Sequence, residues 1–168
     1  HHWQRAEEWE KALTYSLEAA DRAMKLYARP EAIAHYWQAL ELLDRLPVTA
    51  ERNRLRIDAV LSLVDLPGWR RNDRERTAGF EHLDRALTAV AELDNEPLMA
   101  RVEAVRAWHR QDEASLRRAL ERAEASGDDS ARAYATLHYG GHLGQVARYE
   151  AALSHIRQGI DLLGTLGR

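Results

Sequence analysis

Residues 131–163, ARAYATLHYGGHLGQVARYEAALSHIRQGIDLL, decide the fold, and we interpret them as two helices folded back on each other. Large and small residues alternate along each predicted contact line, so two helix backbones can approach closely and their side chains interlock. The contact line of the first helix is predicted at Thr136, Tyr139, Gly140 and Leu143. The contact line of the second helix is predicted at Tyr149, Ala152, Leu153, Ile156, Gly159 and Ile160.

This order of bulky and small residues resembles a tetratricopeptide repeat, a unit of two helices with a period of about 34 residues. Gly140 stands at the small position of the first helix, and Tyr149, Ala152 and Gly159 match the aromatic and small positions of the second. Thr136 departs from the family's pattern, which prefers an aromatic residue or Leu there. The resemblance implies a binding scaffold and not a catalytic domain.

The composition predicts an all-α fold. The chain has 168 residues, of which 45% are hydrophobic and 30% charged, and these values fit one globular domain. Ala, Leu, Glu and Arg recur throughout and favour helix, whereas no segment alternates Val, Ile or Thr with polar residues at a period of two.

Turn signals divide the chain into four predicted helix pairs, at approximately residues 9–46, 49–94, 97–126 and 130–164. Pro30 suits the first turn of a helix, and Thr49 and Ser130 are expected N-caps. Residues 1–6 are expected to be the end of a truncated helix, followed by a turn at Glu7–Glu8.

Small residues expected at the helix contacts recur along the chain at Ala32, Gly79, Ser115 and Ala152. The last two separations are close to the period of about 34 residues in this repeat family. We therefore predict a single repeat domain over residues 1–168, a right-handed α-solenoid of about four antiparallel helix pairs.

The N-terminal quarter carries a second resemblance. The segments WEKAL at 9–13, EAIAHY at 31–36 and ALELL at 39–43 are similar to the repeat region that follows the ATPase module in bacterial adenylate/guanylate cyclase-like and related signalling regulators. The resemblance implies the sensor or partner-binding part of a larger protein. No nucleotide-binding or cyclase motif lies within the 168 residues.

The net charge and the cysteine content restrict the kinds of partner and the cellular compartment that we expect. A net charge of -3 argues against a nucleic-acid surface, which needs a clustered basic field. No apolar run approaches the roughly 20 residues of a membrane span, and no signal-peptide core is present. The absence of cysteine fits a reducing compartment, so we expect a cytoplasmic protein. His1 and His2 are either native or the remnant of an affinity tag.

Candidate catalytic, cofactor and metal sites have simpler explanations. Gly140, Gly141 and Gly144 are not followed by the Gly-Lys-Ser/Thr of a phosphate loop, so close helix packing accounts for them better. His138 and His142 have a spacing that could present two imidazoles to zinc, but the Glu of a metalloprotease motif and a third ligand are missing. We therefore expect no catalytic residues, no cofactor and no metal.

One basic cluster and the tryptophans remain as possible binding features. The cluster Arg70, Arg71, Arg74 and Arg76 could bind a phosphate or an acidic peptide, but Asp73 and Glu75 lie between these residues. We favour a solvated helix start. Of the tryptophans, Trp9 and Trp37 are predicted in the core, whereas Trp69 and Trp108 are predicted to be partly exposed, and Trp108 is the better candidate for an interface anchor.

In a stack of helical hairpins, the first helix of each pair lines a concave groove that accepts a peptide or a partner helix. The predicted protein-binding residues are Leu17, Asp21, Met24, Lys25, Arg56, Arg101, Trp108, Tyr134 and His138. The Lys and Asn set of repeats that clamp a carboxyl terminus is missing, which disfavours a chaperone-tail binder. Two alternatives remain open: a self-associating segment that forms a homodimer, and a small-ligand sensor that uses Trp108 and the arginines.

Overall fold

The computed structural model describes residues 2–166, and the side chains of residues 7–166. This part of the chain is all-α, as predicted, with eight helices and no strand. The helices are α1 (His2–Lys25), α2 (Arg29–Arg45), α3 (Ala50–Val64), α4 (Asp73–Leu93), α5 (Glu96–Arg110), α6 (Glu113–Ser126), α7 (Asp129–Gln145) and α8 (Tyr149–Leu166).

The chain divides within α4 into two compact units, His1–Ala89 and Val90–Arg168. In the first unit, α1 packs against α2, and α2 packs against α3. In the second unit, α5 packs against α6, α7 packs against both of these helices, and α8 packs against α7.

Local sequence signals set several helix ends. The Thr49 hydroxyl accepts a hydrogen bond from the Arg52 backbone N–H at 3.1 Å, so the predicted N-cap of α3 is confirmed. The prediction of Ser130 as the cap of α7 is wrong, because Asp128 caps this helix and accepts from the Ala131 N–H at 2.7 Å. A carboxylate at this position also interacts favourably with the positive end of the helix dipole.

The expected turn at Glu7–Glu8 is also wrong. Helix α1 continues through both residues, and the Lys11 ammonium donates to the Glu7 carboxylate at 2.8 Å, one helical turn away. Two adjacent glutamates carry no turn chemistry and are good helix formers, so nothing in this segment opposes helix. The side chains of residues 1–6 lie outside the part of the chain whose side chains the structure describes.

Trp69 is buried, with 2% of its surface exposed, which corrects the prediction of a partly exposed residue. A Cβ atom at Gly79 would collide with the Trp69 indole, so this glycine makes room for the ring against α4. The Trp37 indole N–H also donates to the Trp69 carbonyl at 3.3 Å. The segment between α3 and α4 therefore folds inward, because burying an indole removes a large apolar surface from water.

Two glycines allow α7 and α8 to approach closely. A Cβ at Gly140 would lie 3.0 Å from Cγ1 of Ile156, and a Cβ at Gly159 would lie 2.6 Å from Cγ of Leu137. Both glycines are buried, and Ala152 is only 4% exposed. The small positions predicted for this hairpin therefore lie in the contact between the helices.

Three of the four large positions predicted for the same contact line of α8 are not in the contact, whereas the fourth, Ile156, packs against Gly140. Tyr149, Leu153 and Ile160 are 66%, 52% and 56% exposed. With about 100° of rotation per residue, these three side chains lie on a flank of the helix, rotated away from Ala152 and Gly159. The contact with α7 uses the small side chains because they permit the shortest distance between the backbones.

Candidate protein-binding surface

Four of the predicted binding residues meet in the second unit. Arg101 and Trp108 lie two turns apart on α5, and Tyr134 and His138 lie one turn apart on α7. The guanidinium carbon of Arg101 is 5.0 Å from the centre of the Tyr134 ring. The ring centres of Tyr134 and His138 are 4.3 Å apart, and the His138 ring meets the Trp108 ring edge to face at 5.8 Å. We name these four residues the α5–α7 strip.

A cluster of alanines positions the α5–α7 strip. Its members are all fully buried and come from α5, α6 and α7: Ala100, Ala104, Ala119, Ala123, Ala131 and Ala135. Short side chains allow these helices to pack closely, so longer side chains at the margin of the contact reach one another. Tyr134 packs against this cluster and is half-buried.

Trp108 lies at the other end of the strip and is half-buried, which agrees with the predicted partial exposure. It packs against a core cluster that includes Leu116 and Tyr139. A Cβ at Gly141 would lie 3.3 Å from the Trp108 Nε1 atom, so this glycine leaves space for the polar edge of the indole. A large aromatic side chain held in place and partly open to solvent is typical of an interface anchor.

Arg101 supplies an unsatisfied hydrogen-bond donor. Its Nε atom is buried and has no hydrogen-bond partner among the described residues, while its guanidinium lies over the Tyr134 ring. Leaving a buried donor without an acceptor costs about 1–3 kcal/mol, and more for a charged group. Because Nε is buried, a partner oxygen cannot reach this atom without a movement of the Arg101 side chain.

The His138 ring is held in one orientation within the strip. Its Nδ1 atom lies 2.9 Å from the Tyr134 carbonyl oxygen one turn earlier. A carbonyl oxygen only accepts hydrogen bonds, so we assign the proton to Nδ1. This bond orients the edge-to-face contact with Trp108 and makes the strip a preformed surface.

The remaining predicted binding residues lie in the first unit. Leu17, Asp21, Met24 and Lys25 share one side of α1, where Leu17 is half-buried and the other three are exposed. Asp21 accepts a hydrogen bond from the Tyr36 hydroxyl at 3.4 Å. A binding role for these four residues stays a prediction.

Arg56 does not fit its predicted place on an open groove. It is only 8% exposed, and its Nη1 atom donates to the Asp44 carboxylate at 2.7 Å. The same atom lies 3.2 Å from Nδ1 of His82. A buried guanidinium needs acceptors inside the protein, so Arg56 is engaged in the core and not offered to a partner.

Asp44, Arg56, His82 and Arg85 form a polar cluster within the first unit that the sequence did not indicate. Arg85 donates to the same Asp44 oxygen as Arg56, at 2.6 Å. Burial opposes ionisation of Asp44, but the hydrogen bonds from Arg85 and Arg56 outweigh it and hold the pKa of Asp44 below its ordinary value. Burial lowers the pKa of His82 to about 4; the nearby Asp44 carboxylate opposes this shift, and Arg56 and Arg85 reinforce it.

Glu113, at the start of α6, joins this helix to two other segments of the second unit. Its carboxylate accepts from Arg148 at 2.8 Å and from Arg117 at 3.3 Å, and lies 3.5 Å from the Tyr139 hydroxyl. The hydrogen bond from Arg148 is the main cause that lowers the pKa of Glu113, against a smaller opposing effect of burial. The interactions of Glu113 therefore tie α6 to α7 and to the segment before α8.

The two histidines considered for zinc have separate neighbours. His138 contacts the Tyr134 carbonyl, whereas Nε2 of the buried His142 lies 3.8 Å from the Glu113 carboxylate. Within residues 2–166, no group of three or more His, Cys, Asp or Glu side chains is arranged to hold a metal ion. None of the helices in this part of the chain has the length and apolar character needed to cross a membrane.

The basic cluster at the start of α4 is partly neutralised by the acids between its members. Arg71 pairs with Glu75 at 2.7 Å, and Arg76 pairs with Asp73 at 3.0 Å. The guanidinium of Arg70 lies 5.9 Å from the centre of the Trp69 ring. These pairs favour a solvated helix start over an anion site.

Comparisons with protein-family models, with curated proteins and with solved structures gave no match. We therefore infer a function from the α5–α7 strip and its surroundings.

Proposed function

We propose that this chain is a non-enzymatic, TPR-like scaffold whose α5–α7 strip binds a protein or peptide partner. The observation that carries the proposal is the stacked arrangement of the strip, in which the Arg101 guanidinium lies over the Tyr134 ring and the half-buried Trp108 meets the His138 ring edge to face. Aromatic residues and arginine are the side chains that most often dominate the affinity of protein interfaces.

The proposed architecture is a right-handed α-solenoid of antiparallel helix pairs. It is supported within the second unit by the contacts of α7, which packs against both α5 and α6 as well as against α8. In stacked repeats, the first helix of one pair contacts both helices of the preceding pair. The placement of Arg101 and Trp108 on α5, and of Tyr134 and His138 on α7, then puts the strip on first helices.

The strip also indicates the chemistry of the partner. A carboxylate would pair with the half-buried Arg101 side chain, and an apolar or aromatic side chain would pack beside Trp108. We therefore infer a partner segment with an acidic residue close to a large apolar one. No nucleic acid, membrane or cofactor is part of this proposal.

The biological setting belongs to the same proposal. We infer a regulatory part of a larger bacterial signalling protein, located in the cytoplasm, and a chain without cysteine needs no oxidising compartment. The small-ligand alternative predicts stabilisation by a metabolite at Trp108, whereas a protein partner predicts recovery of one peptide motif.

The test is a selection from a randomised peptide display library against the immobilised chain. The expected result is enrichment of peptides with Asp or Glu near an aromatic or large aliphatic residue. Arg101→Glu should abolish that motif and Trp108→Ala should weaken it at least about tenfold, in line with an interface hot spot. Arg118→Glu, at an exposed site on α6, is the matched charge-reversal control. Failure to enrich any motif, or an unchanged motif with Arg101→Glu, overturns the proposal.

A further inference from the structure

A continuous apolar stripe runs along α8. Its members are Tyr149, Leu153, Ile156, Ile160 and Leu163. Successive members are alternately four and three residues apart, which is the heptad pattern of a coiled-coil seam. Ile156 is half-buried, and the other four are between 47% and 66% exposed. Single exposed apolar residues are ordinary, but a contiguous stripe of them marks an interaction surface.

The stripe adjoins the side of α8 that packs on α7, and Ile156 belongs to both, since a Cβ at Gly140 would lie 3.0 Å from its Cγ1 atom. Ala152 and Gly159 make that contact and occupy the g positions of the heptad. A shallow groove beside the stripe is lined by residues of α8 alone, among them Leu153, Arg157 and Leu162. Because one helix cannot enclose a small molecule, this surface suits another helix better than a ligand.

Charged residues border the stripe on its open side. Glu150 and Arg157 occupy successive e positions, one residue after Tyr149 and Ile156, and both are exposed. In an antiparallel pair of such helices, the e positions of the two chains lie next to each other. Glu150 of one copy then lies beside the oppositely charged Arg157 of the other. Because the two copies are related by a two-fold axis, this ion pair forms twice.

We propose that two copies of this chain associate through α8 in an antiparallel pair. Tyr149 of each copy faces Ile160 of the other, Leu153 faces Ile156, and Glu150 lies beside Arg157. A parallel pair would place these charges against the g positions, which are the uncharged Ala152 and Gly159 already packed on α7. The charge pattern therefore selects the antiparallel arrangement. This inference does not depend on the α5–α7 strip.

The expected association is weak. A single-helix seam buries less than the standard interface of about 1,600 Å², so the dimer should be in a concentration-dependent equilibrium with the monomer. Its two ion pairs are exposed at the edge of the seam, and added salt should therefore weaken the association. The apolar contacts should persist at high salt.

Sedimentation equilibrium over about 5–500 µM, a range that covers micromolar dissociation constants, tests the pairing. The mass of the wild-type chain should rise from its monomer value of 19.2 kDa towards twice that value. Arg157→Glu and Glu150→Arg should each weaken association about tenfold or more, because each places like charges together twice. The double variant Glu150→Arg/Arg157→Glu should restore it. Arg118→Glu, at an exposed site on α6, is the charge-reversal control and should leave it unchanged.

Three results would overturn the proposal: a monomer at every concentration, equal association in all variants, or single variants that weaken association without rescue by the double variant. Far-ultraviolet circular dichroism establishes that each variant remains helical. Because Arg157→Glu leaves the α5–α7 strip intact, it should still select the same peptides as the wild type. Failure of the dimer is therefore distinguishable from failure of the peptide-binding proposal.

Discussion

The Arg56 guanidinium and the His82 ring are joined inside the first unit, with 3.2 Å between Nη1 of Arg56 and Nδ1 of His82. Because arginine only donates hydrogen bonds, Nδ1 of His82 is the acceptor and the ring is neutral, with its proton on Nε2. The lowered pKa of His82, about 4, agrees with this assignment. The contact joins α3 to α4, and Asp44 on α2 completes the cluster.

The stability of the fold should fall as the pH is lowered from about 6.5 towards 4. His82 takes up a proton near 6.5 in the unfolded chain but only near 4 in the folded chain, so acid favours unfolding across this window. The expected contribution of His82 is up to about 3 kcal/mol, present above pH 6.5 and lost at about pH 4.

Urea unfolding at a series of pH values measures this loss. His82→Asn keeps an acceptor near the Nδ1 position but does not titrate, so its stability should depend less on pH in this window. His35→Asn, at a half-buried site elsewhere in the same unit, controls for the loss of a histidine. An unchanged slope with His82→Asn would contradict the assignment.

Asp44→Asn should destabilise the protein by about 2 kcal/mol, because it leaves the buried Arg56 guanidinium without its counterion. Asp44 is itself partly exposed, which keeps the effect below that of a fully buried pair. The double variant Asp44→Asn/Arg56→Met should recover part of the loss, as expected for residues that interact directly. Chemical denaturation of the four proteins in this cycle gives the coupling energy, and a coupling near zero would show that the ion pair contributes nothing.

Gly159→Ala should destabilise the protein by about 1–2 kcal/mol, although alanine is the better helix former. Its Cβ would lie 2.6 Å from Cγ of Leu137 and force α7 and α8 apart. Gly164→Ala on the same helix is the matched control, because no atom lies within 4 Å of the added Cβ. The control should be neutral or stabilising by up to about 1 kcal/mol in thermal or urea unfolding. Equal effects of the two substitutions would argue against a close α7–α8 contact.

Arg101→Met should leave the melting temperature within about 3 °C of the wild type while abolishing peptide recovery. Methionine keeps the apolar contact with Tyr134 and removes the buried donor that has no acceptor. Differential scanning calorimetry and the peptide selection together separate a binding role from a structural one. A fall of more than about 5 °C would assign Arg101 to the stability of the second unit instead.

Much of the α5–α7 strip was predictable because it follows from helix periodicity. Residues two turns apart on α5 and one turn apart on α7 share a face, so Arg101, Trp108, Tyr134 and His138 could be grouped before their contacts were known. For Arg56 the same reasoning gave a wrong prediction, because this residue is buried and not on an open groove. Periodicity assigns a residue to a helix face, but it does not say which neighbouring side chain that face meets.

The sequence by itself determined the helical class and many helix ends, because propensity, proline and capping act between residues only a few positions apart. Thr49 capping Arg52 is such a local effect. The tertiary structure decided which polar groups meet, since Asp44, Arg56 and His82 are separated by 12 and 26 residues and are joined only by packing. It also decided which side of α8 is covered. The shortest helix distance is reached through Ala152 and Gly159, and this leaves four of the five larger residues of the stripe exposed.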